Sequence, residues 1–292
     1  MRRLATTAAR KRAVLVAPGR GSYNSAELGT LRRLPFSSTW EGLVSAADAR
    51  CAAAGMTRIS ELDSTATFQR SVHLEAAHSS ALTYTCTVAS MRAFSRAARR
   101  WEPVGIVGNS LGWYSAVHIA GCVGFEQGLD IVLRTGGYQR EAGILGGQLV
   151  YPALDVDTWQ RSECLDDAMR AGLAAANAAG GFASVSIDLG GMVVLAADGP
   201  GLVALKRALP TLTRGRTRFP LELPGHSAFH TPLMAPMAAA AREAAAEFAP
   251  PSAMPLVDGN GRLWRTHALG ARGAADAAAN ARSASPLRMG KS

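Results

Sequence analysis

The sequence predicts an α/β fold in which a mostly parallel sheet carries a smaller inserted α+β subdomain. Three observations predict it. Short apolar runs at 13–17 and 104–107 each lead into turns and helical stretches. Residues 144–224 read in the order β-α-β-β-α-β. A G-x-S-x-G segment at 108–112 falls where a strand hands over to a helix.

Taken in order, Ala13-Val14-Leu15-Val16-Ala17 is a buried strand stopped by Pro18-Gly19. Residues 43–55 and 81–100 read as helices, the second with Tyr84, Val88 and Met91 on one face. Val104-Gly105-Ile106-Val107 is a second buried strand, followed by helices over about 111–120 and 126–142. The texture then changes. A strand at 148–151 and a helix over 157–178 precede two apolar runs, 183–187 and 192–196, that flank the turn pair Gly190-Gly191. A helix at 202–209 and a strand at 216–223 complete a ferredoxin-like order. The helix at 233–248 returns to the main domain. The expected division is therefore a basic extension at 1–12, a discontinuous core at 13–143 and 225–262, the inserted subdomain at 144–224, and a disordered or atypical tail at 263–292.

Composition excludes several classes. At 48% apolar residues the chain can bury a core. No apolar run reaches the roughly 18–20 residues of a spanning helix, so no membrane role is expected. Cys51, Cys86, Cys122 and Cys164 have no metal or disulfide spacing, which fits a reducing cytoplasm and no metal site. The net charge of +9 sits at the ends: Arg2, Arg3, Arg10, Lys11 and Arg12 give +5, and residues 262–292 give another +5. The body from 13 to 261 is left at about −1, which argues against a nucleic-acid partner.

The segment Gly108-Asn109-Ser110-Leu111-Gly112 carries the chemistry. A serine on a sharp strand-to-helix turn needs neighbours without side chains two residues away on each side. The helix start favours developing negative charge, and the Leu111 N–H falls where an oxyanion would form. A serine nucleophile needs a base. His118, two helical turns further on, reaches Ser110 poorly and reads as a helix-surface residue. His73 and His78 have no evident role, and His267 lies in the tail. His226 and His230 remain, in the loop Gly225-His226-Ser227-Ala228-Phe229-His230-Thr231-Pro232-Leu233-Met234.

Here the residues resemble a known family. Residues 108–116 are similar to the nucleophile segment of malonyl-CoA:acyl-carrier-protein transacylases. Ala17-Pro18-Gly19-Arg20-Gly21-Ser22 resembles their P-G-Q-G-S loop, and Ala228 to Met234 their A-F-H-S-P-L-M base segment. The resemblance covers about 13–260 and implies a hydrolase-like α/β core with a ferredoxin-like insert. It implies that Ser110 accepts the acyl group, that His230 is its base, and that the Leu111 and Arg20 N–H groups form the oxyanion hole. It further implies an [acyl-carrier-protein] S-malonyltransferase-like acyltransferase of fatty-acid or polyketide synthesis, with acyl-CoA as donor, an acyl carrier protein as partner and no permanently bound cofactor. His226 competes as base but reads as a loop residue lining the cleft.

The sequence departs from that pattern at four places. Asn109 replaces the usual His before the serine, and Arg20 the usual Gln. The family's carboxylate-binding arginine falls on Thr135, with Arg134 one residue and about 100° of helix away. Arg20 or Arg134 is then the candidate for contact with an acyl carboxylate, or the acyl group has none. The helix and closing G-P-G region that the family places after Asn260 are not found. Two alternatives follow: a hydrolase using the same Ser-His dyad, and an inactive binding homologue. The acyl group, the carrier protein and the oligomeric state are not set by the sequence.

Overall fold

The computed structural model describes residues 10–35, 38, 40–97, 100–246 and 248–265. Its strands are β1 (Lys11–Ala17), β2 (Trp101–Gly108), β3 (Gly147–Pro152), β4 (Ala183–Asp188), β5 (Met192–Ala197), β6 (Leu212–Arg214), β7 (Thr217–Phe219), β8 (Leu221–Glu222), β9 (Leu256–Val257) and β10 (Leu263–Trp264). The helices are α1 (Thr30–Arg33), α2 (Glu41–Ala53), α3 (Ile59–Ser64), α4 (Arg70–His73), α5 (Ala76–Ala97), α6 (Gly112–Ile119), α7 (Phe125–Ala142), α8 (Glu163–Ala178), α9 (Gly199–Ala208) and α10 (Ala235–Ala245).

The chain forms two compact units. Among the described residues, the first takes in the chain up to His73, Ala77–Gly136 and the part from Arg242 onward. Its sheet runs β1-β2-β9-β10, with β1, β2 and β9 parallel and β10 antiparallel. Helix α6 packs Ala116 and Val117 against Leu15, Ile106 and Leu256. Helix α5 was expected to bury one face. It is instead surrounded along 79–89, where Leu82, Tyr84, Val88 and Ala89 are fully enclosed. Its buried serines and threonines leave it too polar to cross a membrane; no helix among the described residues is long and apolar enough for that.

The second unit takes in Leu74–Ala76 and Gly137–Ala241. Its antiparallel sheet runs β4-β5-β3-β8, the ferredoxin-like order, with α8 and α9 packing Met169, Ala176 and Leu205 onto Leu149 and Leu195. The hairpin expected at Gly190-Gly191 joins β4 to β5.

Several boundaries differ from the expected ones, each for a local reason. The helix expected from 157 begins at Glu163, because the Asp155 carboxylate accepts the N–H groups of Asp157 and Thr158 and closes a turn. The single strand expected at 216–223 is two short pieces: β7 turns back on β6 across Gly215, at φ +57, and β8 pairs separately with β3. Residues 225–241 join the second unit rather than the core. The Leu145 N–H donates to Ser227 Oγ at 3.1 Å, and the Ala228 N–H donates to Leu145 O at 2.7 Å. Gln139 Nε2 donates to Gly225 O at 3.0 Å. The helix expected at 233–248 is a 3-10 turn, Pro232–Met234, followed by α10.

The folded chain also starts earlier and ends later than expected. Strand β1 begins at Lys11, whose N–H donates to Arg100 O at 2.8 Å. Strand β10 pairs with β9 inside the expected tail, and Asp258 accepts the Trp264 indole N–H at 2.9 Å. Residues 1–9 and 266–292, including His267, lie outside the described residues.

Leu195 is fully buried at the centre of the second unit's sheet. Leu195→Ala should lower stability by about 2–5 kcal/mol, read as a shifted urea midpoint. A shift under about 0.5 kcal/mol contradicts the packing described.

Candidate functional site

Strand β2 ends at Gly108 and α6 begins at Gly112, so three residues turn the chain. The turn is closed by backbone bonds: Gly112 N–H to Asn109 O and Trp113 N–H to Ser110 O, both 2.9 Å. Asn109 N–H donates to Ala17 O at 3.0 Å, tying the turn to the end of β1. Ser110 takes φ +53, the left-handed region. That geometry costs a non-glycine residue on the order of 1–3 kcal/mol and persists only where the surroundings enforce it. A Cβ on Gly112 would lie 2.1 Å from Ala17 O, and one on Gly108 would lie 2.3 Å from Gly112 O. Both glycines are therefore sterically required, as the G-x-S-x-G reading demands.

The Arg20 loop meets this turn. A Cβ on Gly19 would lie 3.0 Å from Asn109 O and 3.2 Å from Asn109 Nδ2, so the loop backbone lies directly against the elbow. Asn109 stands where the resemblance implies His, and it makes that close contact. The loop is held by Ser22 N–H to Gly19 O at 3.3 Å and Asn24 Nδ2 to Gly21 O at 2.9 Å. Beyond it, buried Asp63 accepts the Tyr23 hydroxyl at 2.6 Å and the Leu31 N–H at 3.0 Å. Burial and that carboxylate push the Tyr23 phenol well above its ordinary pKa. Tyr23 and Asp63 escape sequence reading because they are 40 residues apart. Leu111 precedes α6 with φ −52 and ψ −32.

The remaining candidates of the first unit separate. Arg134 is exposed on α7, and Thr135 donates its hydroxyl back to Val132 O at 3.0 Å. His118 is not a surface residue: it is half-buried, with Nδ1 3.0 Å from Val123 O and Nε2 3.2 Å from Arg92 Nη2. Burial and the Arg92 charge lower its pKa, while its bond to Val123 opposes them; its contacts are structural. His73 is buried and bonded to Leu62 O and Thr65.

His226 and His230 belong to the second unit. His230 takes φ +59. Ser110, His230 and the exposed Trp159 are the non-glycine residues of positive φ among those described. The segment is pinned by Thr231 Oγ1 to Ala228 O at 2.6 Å and Phe229 N–H to Ser227 O at 2.7 Å. Burial lowers the His230 pKa to about 4, so the ring is neutral at ordinary pH. His226 is engaged elsewhere: its Nδ1 lies 2.8 Å from Gln148 Oε1. Gln148 was missed; its signal is an amide in the otherwise apolar strand 147–152. Among the described residues, no group of three or more His, Cys, Asp or Glu is placed to hold a metal, and all four cysteines are free.

Neither protein-family models nor curated protein sequences give a match to the chain. Solved structures do. An acyl-carrier-protein S-malonyltransferase from Burkholderia pseudomallei aligns with TM-score 0.66 at 22% identity, over 94% of this chain and 81% of that one. A malonyl-transacylase in complex with its type II polyketide-synthase acyl-carrier protein gives TM-score 0.67 at 22% identity, over 94% and 79%. A malonyl CoA-acyl carrier protein transacylase from Coxiella burnetii gives 0.66 at 19%, over 96% and 80%.

The chain has the acyltransferase fold. In this acyltransferase fold the elbow, the Arg20 loop and the His230 loop are each built by backbone constraints within their own unit.

Gly112→Ala should lower the unfolding midpoint, because backbone must move to admit the methyl group. Gly124→Ala, with nothing within 4 Å of the added Cβ, should change it little. Equal midpoints for the two variants contradict the elbow geometry.

Proposed function

We propose that the protein is a serine acyltransferase that moves an acyl group from CoA to the phosphopantetheine thiol of an acyl carrier protein. The observation that carries this reading is Ser110 at φ +53 between two sterically required glycines, at a strand–helix elbow of an acyltransferase fold. Solved structures of that fold include malonyltransferases, one of them in complex with its acyl-carrier protein.

The chemistry runs in two balanced exchanges. Ser110 Oγ attacks the thioester carbonyl while His230 takes its proton. The Leu111 and Arg20 N–H groups hold the oxyanion. Collapse breaks the C–S bond, and the proton passes from His230 to the departing CoA sulfur. The carrier thiol then gives its proton to His230 and attacks the ester. Ser110 Oγ leaves as the second intermediate collapses and recovers the proton.

Burial keeps the His230 ring neutral, as a base must be before the reaction, while it weakens the ring's basicity. His226 is not the base in this reading, since its Nδ1 is committed to Gln148. The exposed Arg134 and the self-bonded Thr135 leave Arg20, next to Gly19 in the loop that lies against Asn109, as the proposed contact for an acyl carboxylate.

Incubation with malonyl-CoA or acetyl-CoA should add the acyl mass to the wild type and not to Ser110→Ala. An equal increment in that variant overturns the assignment. His230→Ala should slow acylation about 10²–10⁴-fold, and His226→Ala less; the reverse order moves the base to His226.

The pH dependence has a definite sign. Above about 4 the buried ring is neutral and competent; below it the ring protonates and acylation is lost. The acid limb of kcat/KM should therefore be half-maximal near pH 4. The same depression favours folding above the ordinary pKa near 6.5, and that contribution is lost as pH falls through about 4. A limb at 6.5 contradicts the burial of His230.

A further inference from the structure

We propose that Gln148 and Ser186 are positioning residues for His230: they clamp the Phe229 carbonyl and so fix the peptide plane from which the imidazole projects. The inference rests on His230 being the base.

The peptide linking Phe229 to His230 is a rigid plane. Its oxygen accepts Ser186 Oγ–H at 2.9 Å and Gln148 Nε2–H at 3.4 Å. With the oxygen held, the His230 nitrogen at the other end of the plane is held too. Rotation about the His230 N–Cα bond then sets the ring, and it rests at φ +59, a conformation that relaxes when its supports go.

The clamp is internally complete. Gln148 Nε2 also donates to Ser186 Oγ at 2.7 Å, so the hydroxyl accepts from the amide while it donates to Phe229 O. Phe229 O can only accept, which fixes the amide orientation. Gln148 Oε1 is then the acceptor for His226, whose Nδ1 carries the proton at 2.8 Å. The His226 ring also meets the Phe229 ring edge-on at 5.8 Å and 78°. Gln148 and Ser186 are 2% and 5% exposed, so water does not compete for these groups.

The fold supplies both residues from the two strands that flank β5 in one sheet. Gln148 lies on β3 opposite Ala196 of β5. Ser186 lies on β4, where the register with β5 shifts between Val185 and Ile187. That irregularity re-aims the hydroxyl toward the His230 loop.

The test uses a fluorophosphonate that labels an activated serine, so it does not depend on the acyl group. Labelling of Ser110 is followed by intact mass against probe concentration and pH in wild type, Ser186→Ala, Gln148→Met, Ser186→Thr and His230→Ala. The expected result is a loss of about 10²-fold in the maximal rate for Ser186→Ala and Gln148→Met, with the half-saturating concentration unchanged. Their acid limb should move up toward 6.5 as the loosened ring meets water, and Ser186→Thr, which keeps the hydroxyl, should restore the rate. Wild-type rates in both variants, alongside a slow His230→Ala, overturn the clamp and leave the base assignment standing. A wild-type rate in His230→Ala removes the base assignment and the clamp with it. Loss without a moved limb or threonine rescue, or confined to a variant with a lowered unfolding midpoint, marks a structural role and overturns the proposal.

Discussion

The carbonyl of Ala17 and the backbone of Gly112 lie closer than any side chain permits, and the geometry of the first unit's sheet end depends on that contact. It brings the start of α6 onto the end of β1, so that Asn109 can bond to Ala17 and Ser110 is left in a left-handed turn. The Arg20 loop follows directly from β1 and therefore arrives at the elbow without further design. Gly19 completes the approach against Asn109, and Tyr23 with buried Asp63 secures the chain beyond. One steric requirement thus sets the elbow of the proposed nucleophile and brings its candidate oxyanion loop alongside it.

The second unit solves a similar problem with polar groups. His230 also occupies a left-handed conformation, and hydrogen bonds rather than glycine contacts hold it. Each strained residue costs on the order of 1–3 kcal/mol, which a chain retains only where something enforces it. The two strained residues coincide with the segments singled out as nucleophile and base. Dehydration of the His230 ring keeps it neutral, the state a base needs, at the cost of stability in acid.

The parts of this arrangement written in short-range pattern were legible. The elbow needs glycines at fixed spacing, and Gly108, Ser110 and Gly112 supply it. The β4–β5 hairpin is marked by Gly190-Gly191 between two apolar runs. Features that depend on distant partners were not legible. Asp155 delays α8 by folding its own turn, which composition alone does not distinguish from a helix start. The apparent strand at 216–223 divides because 217–219 turn back on 212–214 while 221–222 pair with β3. The loop at 225–231 looks like a return to the core, yet its bonds run to Leu145 and Gln139 in the second unit. Gln148 and Ser186 meet Phe229 across 81 and 43 residues, a separation at which sequence carries no signal beyond a polar residue in an apolar strand.

The central claim is that an acyl group passes through an ester on Ser110 to a carrier thiol. The most direct measurement loads the protein with radiolabelled acyl-CoA, removes free CoA, maps the label by peptide, and then chases with holo acyl carrier protein. The account predicts label on the peptide containing Ser110, slow release to water, and rapid transfer to the carrier. Label on another residue contradicts it, as does loss to water at the same rate with and without the carrier.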